Sequence, residues 1–145
     1  MEIKVTSNSR DIAKRVGKKG KELSDSVKRA LSVTAQVGLT IIEDRTAKGE
    51  GYKGGAFAAY STKGSNGGYA AFRARKGRGS TPDLSFTGNM LGAMTTKAND
   101  KQAEIFFTRP TEAKKAAMNN KTRPFFGFSR SEEERLGKVF FRYLK

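Results

Sequence analysis

Three glycines in the stretch "KGEGYKGG" have the spacing of a nucleotide-binding loop. They form the G-x-G-x-x-G pattern that binds the pyrophosphate of a dinucleotide, at Gly49, Gly51 and Gly54. That chemistry needs a strand before the glycines, a helix that starts at them and an acidic residue about twenty positions later. Here a long helical pattern precedes them, residues 56–72 have no helical periodicity, and no acidic residue follows Glu50 before Asp83. The sequence therefore argues against a dinucleotide site.

Clustered carboxylates are the other residues that could do chemistry, as metal ligands or as general acids and bases. They occur twice, as Glu43–Asp44 and as Glu132–Glu133–Glu134. Such a site needs carboxylates that converge from separated positions, whereas neighbours along a helix point in different directions. The three glutamates also start a helical pattern, where the helix dipole favours negative charge. These spacings indicate structural carboxylates and no metal site.

Histidine and cysteine do not occur in the 145 residues. The sequence therefore excludes disulfides, thiol nucleophiles, zinc sites built from these residues and every triad that uses imidazole as its base. Carboxylates or lysine could still support an enzyme, but the commonest general base at neutral pH is missing. We expect a protein without enzymatic activity and without a cofactor.

The chain is strongly basic, with 29 Lys and Arg residues against 14 Asp and Glu residues and a formal net charge of +15. This charge suits proximity to a polyanion such as nucleic acid, and it equally suits a protein whose basic residues are simply solvated. The sequence has no apolar run of the roughly 18 residues that a membrane span needs, and its first residues lack the apolar stretch of a signal peptide. We expect one domain, residues 1–145, that folds in the cytoplasm and does not enter a membrane.

Hydrophobic periodicity predicts helices towards both ends of the chain. "MEIKV" predicts a short first strand, and residues 11–44 predict a long helix with a kink or break near Gly17 and Gly20. Its apolar stripe consists of Leu23, Val27, Ala30, Leu31, Ala35, Ile41 and Ile42. The last helix follows a capping box, formed either by Ser129 with Glu132 or by the equivalent pair two residues later.

Shorter elements lie between these helices. "TPDLSFTGNMLGAM" predicts a short helix capped by Ser85 or Thr87, and "QAEIFFT" predicts a strand. "TEAKKAAMNN" predicts a helix, and "KTRPFFGFS" an extended segment whose phenylalanines we expect in the core. Together these elements predict an α+β fold, in which a long N-terminal helix and a C-terminal helix pack on a small antiparallel sheet.

Residues 46–80, here called the glycine-rich segment, have a different composition. They hold nine of the sixteen glycines, seven basic residues and a single acid. This composition is typical of a functional loop, a long hairpin arm or a segment that orders only on binding a partner, so we expect a flexible arm inserted in the domain. Its aromatic residues are Tyr52, Phe57, Tyr60, Tyr69 and Phe72.

Basic residues follow the last two of these aromatics, at Arg73, Arg75, Lys76 and Arg78. Aromatic stacking combined with phosphate contacts is how sequence-tolerant proteins bind single strands. No RNP pattern, KH clamp or zinc finger accompanies the cluster. The pattern leaves open a small basic nucleic-acid-binding protein that uses residues 46–80.

Three separated segments have a familiar order and spacing: "DRTAKGEGYKGGAFAAYS", "TPDLSFTGNML" and "RPFFGFS" before a helix with an acidic start. Together they resemble the tail-completion and virion morphogenesis proteins of tailed bacteriophages, which are small neck proteins at the head–tail junction. The resemblance covers roughly residues 20–145. The glycine-rich run after Ser61 departs from the family pattern. The matching positions are Gly54, Gly55, Phe57, Tyr60 and Ser61; Leu84, Thr87, Gly88, Met90 and Leu91; and Arg123 to Ser129.

The resemblance implies a structural protein of the virion neck, made in the host cytoplasm. It implies assembly as a homo-oligomeric ring at the head–tail junction that lets double-stranded DNA pass, with head-connector and tail proteins as neighbours. It implies no catalytic, cofactor or metal site. We expect the five aromatics of the glycine-rich segment to form the interface, and its four clustered basic residues from Arg73 to Arg78 to face DNA or acidic partners.

Overall fold

The computed structural model describes residues 1–6 and 20–145. The start of the expected long helix, including the position of Gly17, lies outside the described residues. The elements are β1 (Glu2–Thr6), α1 (Gly20–Ala47), α2 (Gly68–Arg75), β2 (Met94–Ala98), β3 (Gln102–Phe107), α3 (Pro110–Thr122) and α4 (Arg130–Tyr143). Short 3₁₀ turns precede α2 and β2, at Ser65–Gly67 and Leu91–Ala93. The α+β prediction is confirmed.

The long helix α1 buries the predicted apolar stripe, from Val27 to Ile42. It ends where Gly49 adopts a positive φ of 75°, which is the usual way of closing a helix C-terminus. A Cβ at this position would lie 2.9 Å from Thr81 Cγ2, so glycine also makes room for the later part of the chain. The first glycine of the G-x-G-x-x-G pattern therefore ends a helix.

The sheet is antiparallel with the strand order β1-β3-β2. The central strand β3 matches the predicted "QAEIFFT" strand, and Ile105 within it pairs with Ile3 of β1 and Thr96 of β2. α1 packs against β2 and β3. Phe125 and Phe126, as expected from the sequence, are buried in the same core as Ile105.

The C-terminal helix α4 packs on α1. Phe140 and Leu144 cover the buried Val27 and Leu31. Of the two capping boxes considered, the structure contains the one in which the Ser129 hydroxyl accepts from the Glu132 N–H while the Glu132 carboxylate accepts from the Ser129 N–H. Two orphan donors of the first turn are satisfied in this way.

The prediction of a helix in "TPDLSFTGNMLGAM" is wrong. Only one 3₁₀ turn forms there, and Met94 begins β2, a strand that the sequence pattern did not predict. Gly88 adopts a positive φ of 78° and Leu84 one of 55°, so the backbone turns too often to continue a helix. The β-branched Thr95 and Thr96 pair with β3 instead.

The glycine-rich segment contains a helix that its periodicity did not predict. α2 follows a turn in which Gly68 has a φ of 66°, and a Cβ there would lie 2.5 Å from the Lys63 carbonyl oxygen. Glycine is needed to start this helix, because any side chain would strike the preceding backbone. The segment therefore folds against the domain over part of its length.

Within the part of the chain that the structure describes, no helix is both long and apolar enough to cross a membrane.

Candidate functional site

The first part of the glycine-rich segment is anchored in the core. Glu50 and Ala56 form an isolated bridge, and the Phe57 N–H donates to the Gly49 carbonyl at 2.7 Å. The Phe57 side chain is 6% exposed and belongs to the core cluster. The structure therefore places Phe57 in the core, where its ring stabilises the fold, and not on the surface that the expected interface role needs.

Tyr52 packs on the "RPFFGFS" segment. Its N–H donates to the Pro124 carbonyl at 3.0 Å, and its half-buried aromatic ring covers Gly127 so closely that a Cβ there would lie 2.6 Å from Tyr52 Cε1. This contact explains the glycine at position 127. It also holds Tyr52 on the body of the domain, apart from the other aromatics of the segment.

Arg123 connects the "RPFFGFS" segment with the "FAAYS" stretch. Its Nε donates to the Ala58 carbonyl at 2.8 Å and its Nη2 to the Ala59 carbonyl at 2.9 Å. The guanidinium carbon lies 4.8 Å from the centroid of the Tyr60 ring, within the range of a cation–π contact. One side chain thus fixes three consecutive residues of the glycine-rich segment.

Tyr60 is the point at which all three segments of the phage-like pattern meet. Its hydroxyl accepts from the Leu84 N–H at 3.1 Å, while Arg73 and Arg123 each lie within 5 Å of its ring centroid. The side chain is half-buried, and this burial raises the pKa of Tyr60 above its ordinary value. Through these contacts of Tyr60, the segments around "FAAYS", "DLSFTG" and "RPFFG" form one connected unit.

Arg73 is almost completely buried, with 1% exposure. Its Nη1 donates to the Ser85 carbonyl at 3.0 Å, and its Nη2 pairs with Asp83 Oδ1 at 3.0 Å. The sequence predicted that Arg73 faces DNA or an acidic partner, but the buried guanidinium is turned to neither, because Asp83 of the same chain pairs with its charge. Asp83, the first acid after Glu50, was the sequence signal for this pairing.

Three aromatic side chains pack together at α2, and they are here called the aromatic platform: the exposed Tyr69 and Phe72 and the half-buried Phe86. The Phe72 and Phe86 rings lie 5.5 Å apart at an interplanar angle of 28°, and Tyr69 and Phe72 lie 6.2 Å apart at the same angle. Tyr69 is 42% exposed and Phe72 is 38% exposed. The structure thus brings together two of the predicted interface residues, and it adds Phe86, which the sequence pattern had placed at a helix entry.

Arg75, Lys76 and Arg78 are exposed at the end of α2, beside the aromatic platform. Arg75 Nη1 donates to the Asn66 carbonyl at 3.1 Å, and the Arg78 guanidinium carbon lies 6.0 Å from the Phe86 ring centroid. Within the described part of the chain, no carboxylate forms a salt bridge with any of these three cations. Their positive charge therefore faces solvent.

A groove with a volume of about 350 Å³ runs beside the aromatic platform. Its walls combine aromatic rings with polar groups. It is lined by Tyr60, Ser61, Tyr69, Leu84, Phe86, Asn119 and Arg123.

A second polar cluster lies between α1 and α4 and was not predicted. Arg45 is 9% exposed; its Nη1 donates to Glu132 Oε1 at 2.6 Å, and its Nη2 donates to the carbonyls of Phe125 and Gly127. Burial alone would raise the pKa of Glu132, but the Ser129 N–H and Arg45 outweigh it and hold that pKa below its ordinary value. This cluster joins two helices to the "RPFFGFS" segment, so its geometry indicates a structural role.

Among residues 1–6 and 20–145, no group of three or more acidic side chains is arranged to hold a metal ion. No protein-family model, curated protein or solved structure matches the chain.

Proposed function

We propose that this chain is a structural protein of the neck of a tailed bacteriophage, a tail-completion or head–tail connector component without enzymatic activity. In this proposal it assembles as a homo-oligomeric ring at the head–tail junction of the virion, contacts head-connector and tail proteins, and lets DNA pass. The observation that supports it is the meeting of the three phage-like segments around Tyr60 and Arg123.

The three segments that carry the resemblance contact one another in the fold. Tyr60 and Leu84 are 24 residues apart, and Ala58 and Arg123 are 65 residues apart, yet each pair is joined by a hydrogen bond. The glycine of the third segment is explained by its contact with Tyr52. The residues that carry the resemblance therefore act as one structural unit, which favours a shared framework over independent coincidences.

Charge and exposure fit the same role. A net charge of +15 attracts double-stranded DNA without reading its sequence. Contacts between neighbouring subunits of an oligomeric ring are heterologous, so they need two different surfaces on each chain. Large exposed hydrophobic side chains do occur in separate places, on α3 at Met118 and on α4 at Phe141.

The test is electron microscopy of particles made by the source phage after the gene for this chain is removed. We expect DNA-filled heads beside separate tails, or tails with abnormal ends, and joined particles again when the gene is supplied from a plasmid. The control is a plasmid copy with an early stop codon, which makes the transcript but no chain. Normal, infectious particles from the deletion phage would overturn the proposal.

A further inference from the structure

We propose that the aromatic platform and the cations beside it form a binding site for single-stranded nucleic acid. In this site, the faces of Tyr69 and Phe72 stack on unpaired bases, while Arg75, Lys76 and Arg78 contact the phosphates. The inference rests on the geometry of these residues and does not depend on a role in the phage neck.

The rings of the platform pack on one another, and Tyr69 and Phe72 still keep 42% and 38% of their surface exposed. Phe72 is nearly parallel to both of its aromatic neighbours, and the Tyr60 ring meets Tyr69 edge-on at 5.1 Å with an interplanar angle of 84°. Arg73 holds α2 to the loop that carries Phe86, through Asp83 and the Ser85 carbonyl. Because these rings are fixed before binding, stacking a base on them costs little conformational entropy.

The local charge fits an anion and opposes a cation. Three exposed cations lie within four residues of one another, and the carboxylate of Asp83 is paired with the buried Arg73. The Arg75 guanidinium is oriented by the Asn66 carbonyl, and Arg78 lies over the edge of the platform at Phe86. A phosphate backbone that passes the end of α2 would meet positive charge beside the aromatic faces.

Single strands fit this surface better than duplexes do. In a duplex both faces of every internal base are covered by its neighbours, so the exposed Phe72 and Tyr69 would find nothing to stack on. In a single strand the bases are free to stack on aromatic side chains, and the preference is sequence-tolerant because every base has an aromatic face. The adjoining groove, with Ser61 and Asn119 in its wall, offers polar groups to the edge of a base that follows the stacked one.

The test measures fluorescence anisotropy of a labelled twelve-nucleotide oligothymidine with the full chain. The comparison ligands are an abasic strand of the same length, a duplex of the same length and a polyglutamate competitor. We expect the oligothymidine to bind at least tenfold more tightly than the abasic strand, because one stacked base alone is worth about tenfold or more. We also expect oligothymidine to compete for the site better than polyglutamate of equal charge does.

Two pairs of variants separate stacking from charge. Phe72→Leu keeps an apolar side chain but removes the aromatic face, so oligothymidine affinity should fall about tenfold while abasic affinity stays unchanged. Its control is Phe141→Leu on α4, where an aromatic side chain is 72% exposed far along the chain from the platform. The double change Arg75→Gln with Arg78→Gln should make binding less sensitive to salt, lowering the slope by about 0.7 for each phosphate that is no longer neutralised. Its control is Lys28→Gln with Arg29→Gln, two exposed cations of α1.

Equal binding of the oligothymidine and the abasic strand would overturn the proposal, since charge alone would then explain the affinity. The proposal would also be overturned if polyglutamate bound more tightly than the oligothymidine and this binding were lost in Phe72→Leu. That result would identify the platform as a docking surface for an acidic protein segment. Circular dichroism of each variant checks that the fold is kept. Loss or retention of particle joining in the phage is measured separately and does not affect this result.

Discussion

Arg45 Nη1 lies 2.6 Å from Glu132 Oε1, and this pair joins the end of α1 to the first turn of α4 across 87 residues of sequence. The same guanidinium donates to the carbonyls of Phe125 and Gly127. The same carboxylate accepts from the N–H of Ser129. One ion pair therefore ties two helices to the segment between them.

Removing the charge of Glu132 should destabilise the protein markedly. Glu132→Gln leaves the mostly buried Arg45 without its anion, and we expect the free energy of unfolding to fall by about 2 kcal/mol. The matched control is Glu134→Gln, because Glu134 pairs with Arg130 where both side chains are largely exposed, at 64% and 92%. That change should cost less than about 0.5 kcal/mol. Urea unfolding followed by circular dichroism measures both, and equal losses would contradict the structural role of Arg45.

The same carboxylate should make stability depend on acid pH. The pKa of Glu132 in the folded protein lies below its ordinary value of 4.5, so the unfolded chain binds a proton first as the pH falls. The stabilisation is complete above about pH 5 and is lost as the pH drops through the folded pKa. Unfolding free energies between about pH 3 and pH 6 should show a steeper slope for the wild-type protein than for Glu132→Gln. Identical slopes would mean that Glu132 is not held in its charged form.

A methyl group at position 127 should displace Tyr52. Gly127→Ala would place a Cβ 2.6 Å from Tyr52 Cε1, so we expect a loss of about 1–3 kcal/mol in the free energy of unfolding. Combining it with Tyr52→Ala should cost less than the sum of the two single changes, because the clash disappears. Gly137→Ala is the control: it lies within α4 with open space around its Cβ position, and it should stabilise by about 0.5–1 kcal/mol. Additive losses in thermal or urea unfolding would argue against the contact.

Substituting two arginines that are only two residues apart should change the stability of the protein by very different amounts. Arg73→Gln leaves Asp83 and the Ser85 carbonyl without their donor in a buried site, so we expect a loss of about 3 kcal/mol. Arg75→Gln changes an exposed side chain and should alter stability by less than about 0.5 kcal/mol. Differential scanning calorimetry would distinguish them, and similar melting temperatures for the two variants would contradict the burial of Arg73.

The sequence predicted the elements whose cause is local. Residues close together in the sequence are sufficient to predict three of these elements. They are the capping box at Ser129, the apolar stripe of α1 from Val27 to Ile42 and the β-prone strand "QAEIFFT". The run of phenylalanines at Phe125 was correctly placed in the core because an apolar run packs inwards. Periodicity and capping were sufficient for the fold class.

The candidate site depends on contacts that no local pattern contains. Arg73 and Arg75 are alike in sequence, and only the loop that brings Asp83 beside α2 buries one in an ion pair while the other stays exposed. Phe86 reaches the aromatic platform where the chain turns at Leu84, which adopts a positive φ. A positive φ is uncommon for leucine, so the sequence gives no indication of this turn. β2 was missed because its pairing with β3, more than its own residues, defines it.

The register of β1 has a consequence for the order in which the protein folds. Glu2 pairs with Phe106, so β1 has no strand partner until residues 102–107 have been synthesised. β2 and β3 are joined by a short turn and can pair at once, whereas closing the much longer loop to β1 costs more chain entropy. We expect the hairpin and its packing on α1 to form first and the edge strand to dock last. Refolding should therefore show a late phase in which a label on β1 changes its signal after the helices have formed.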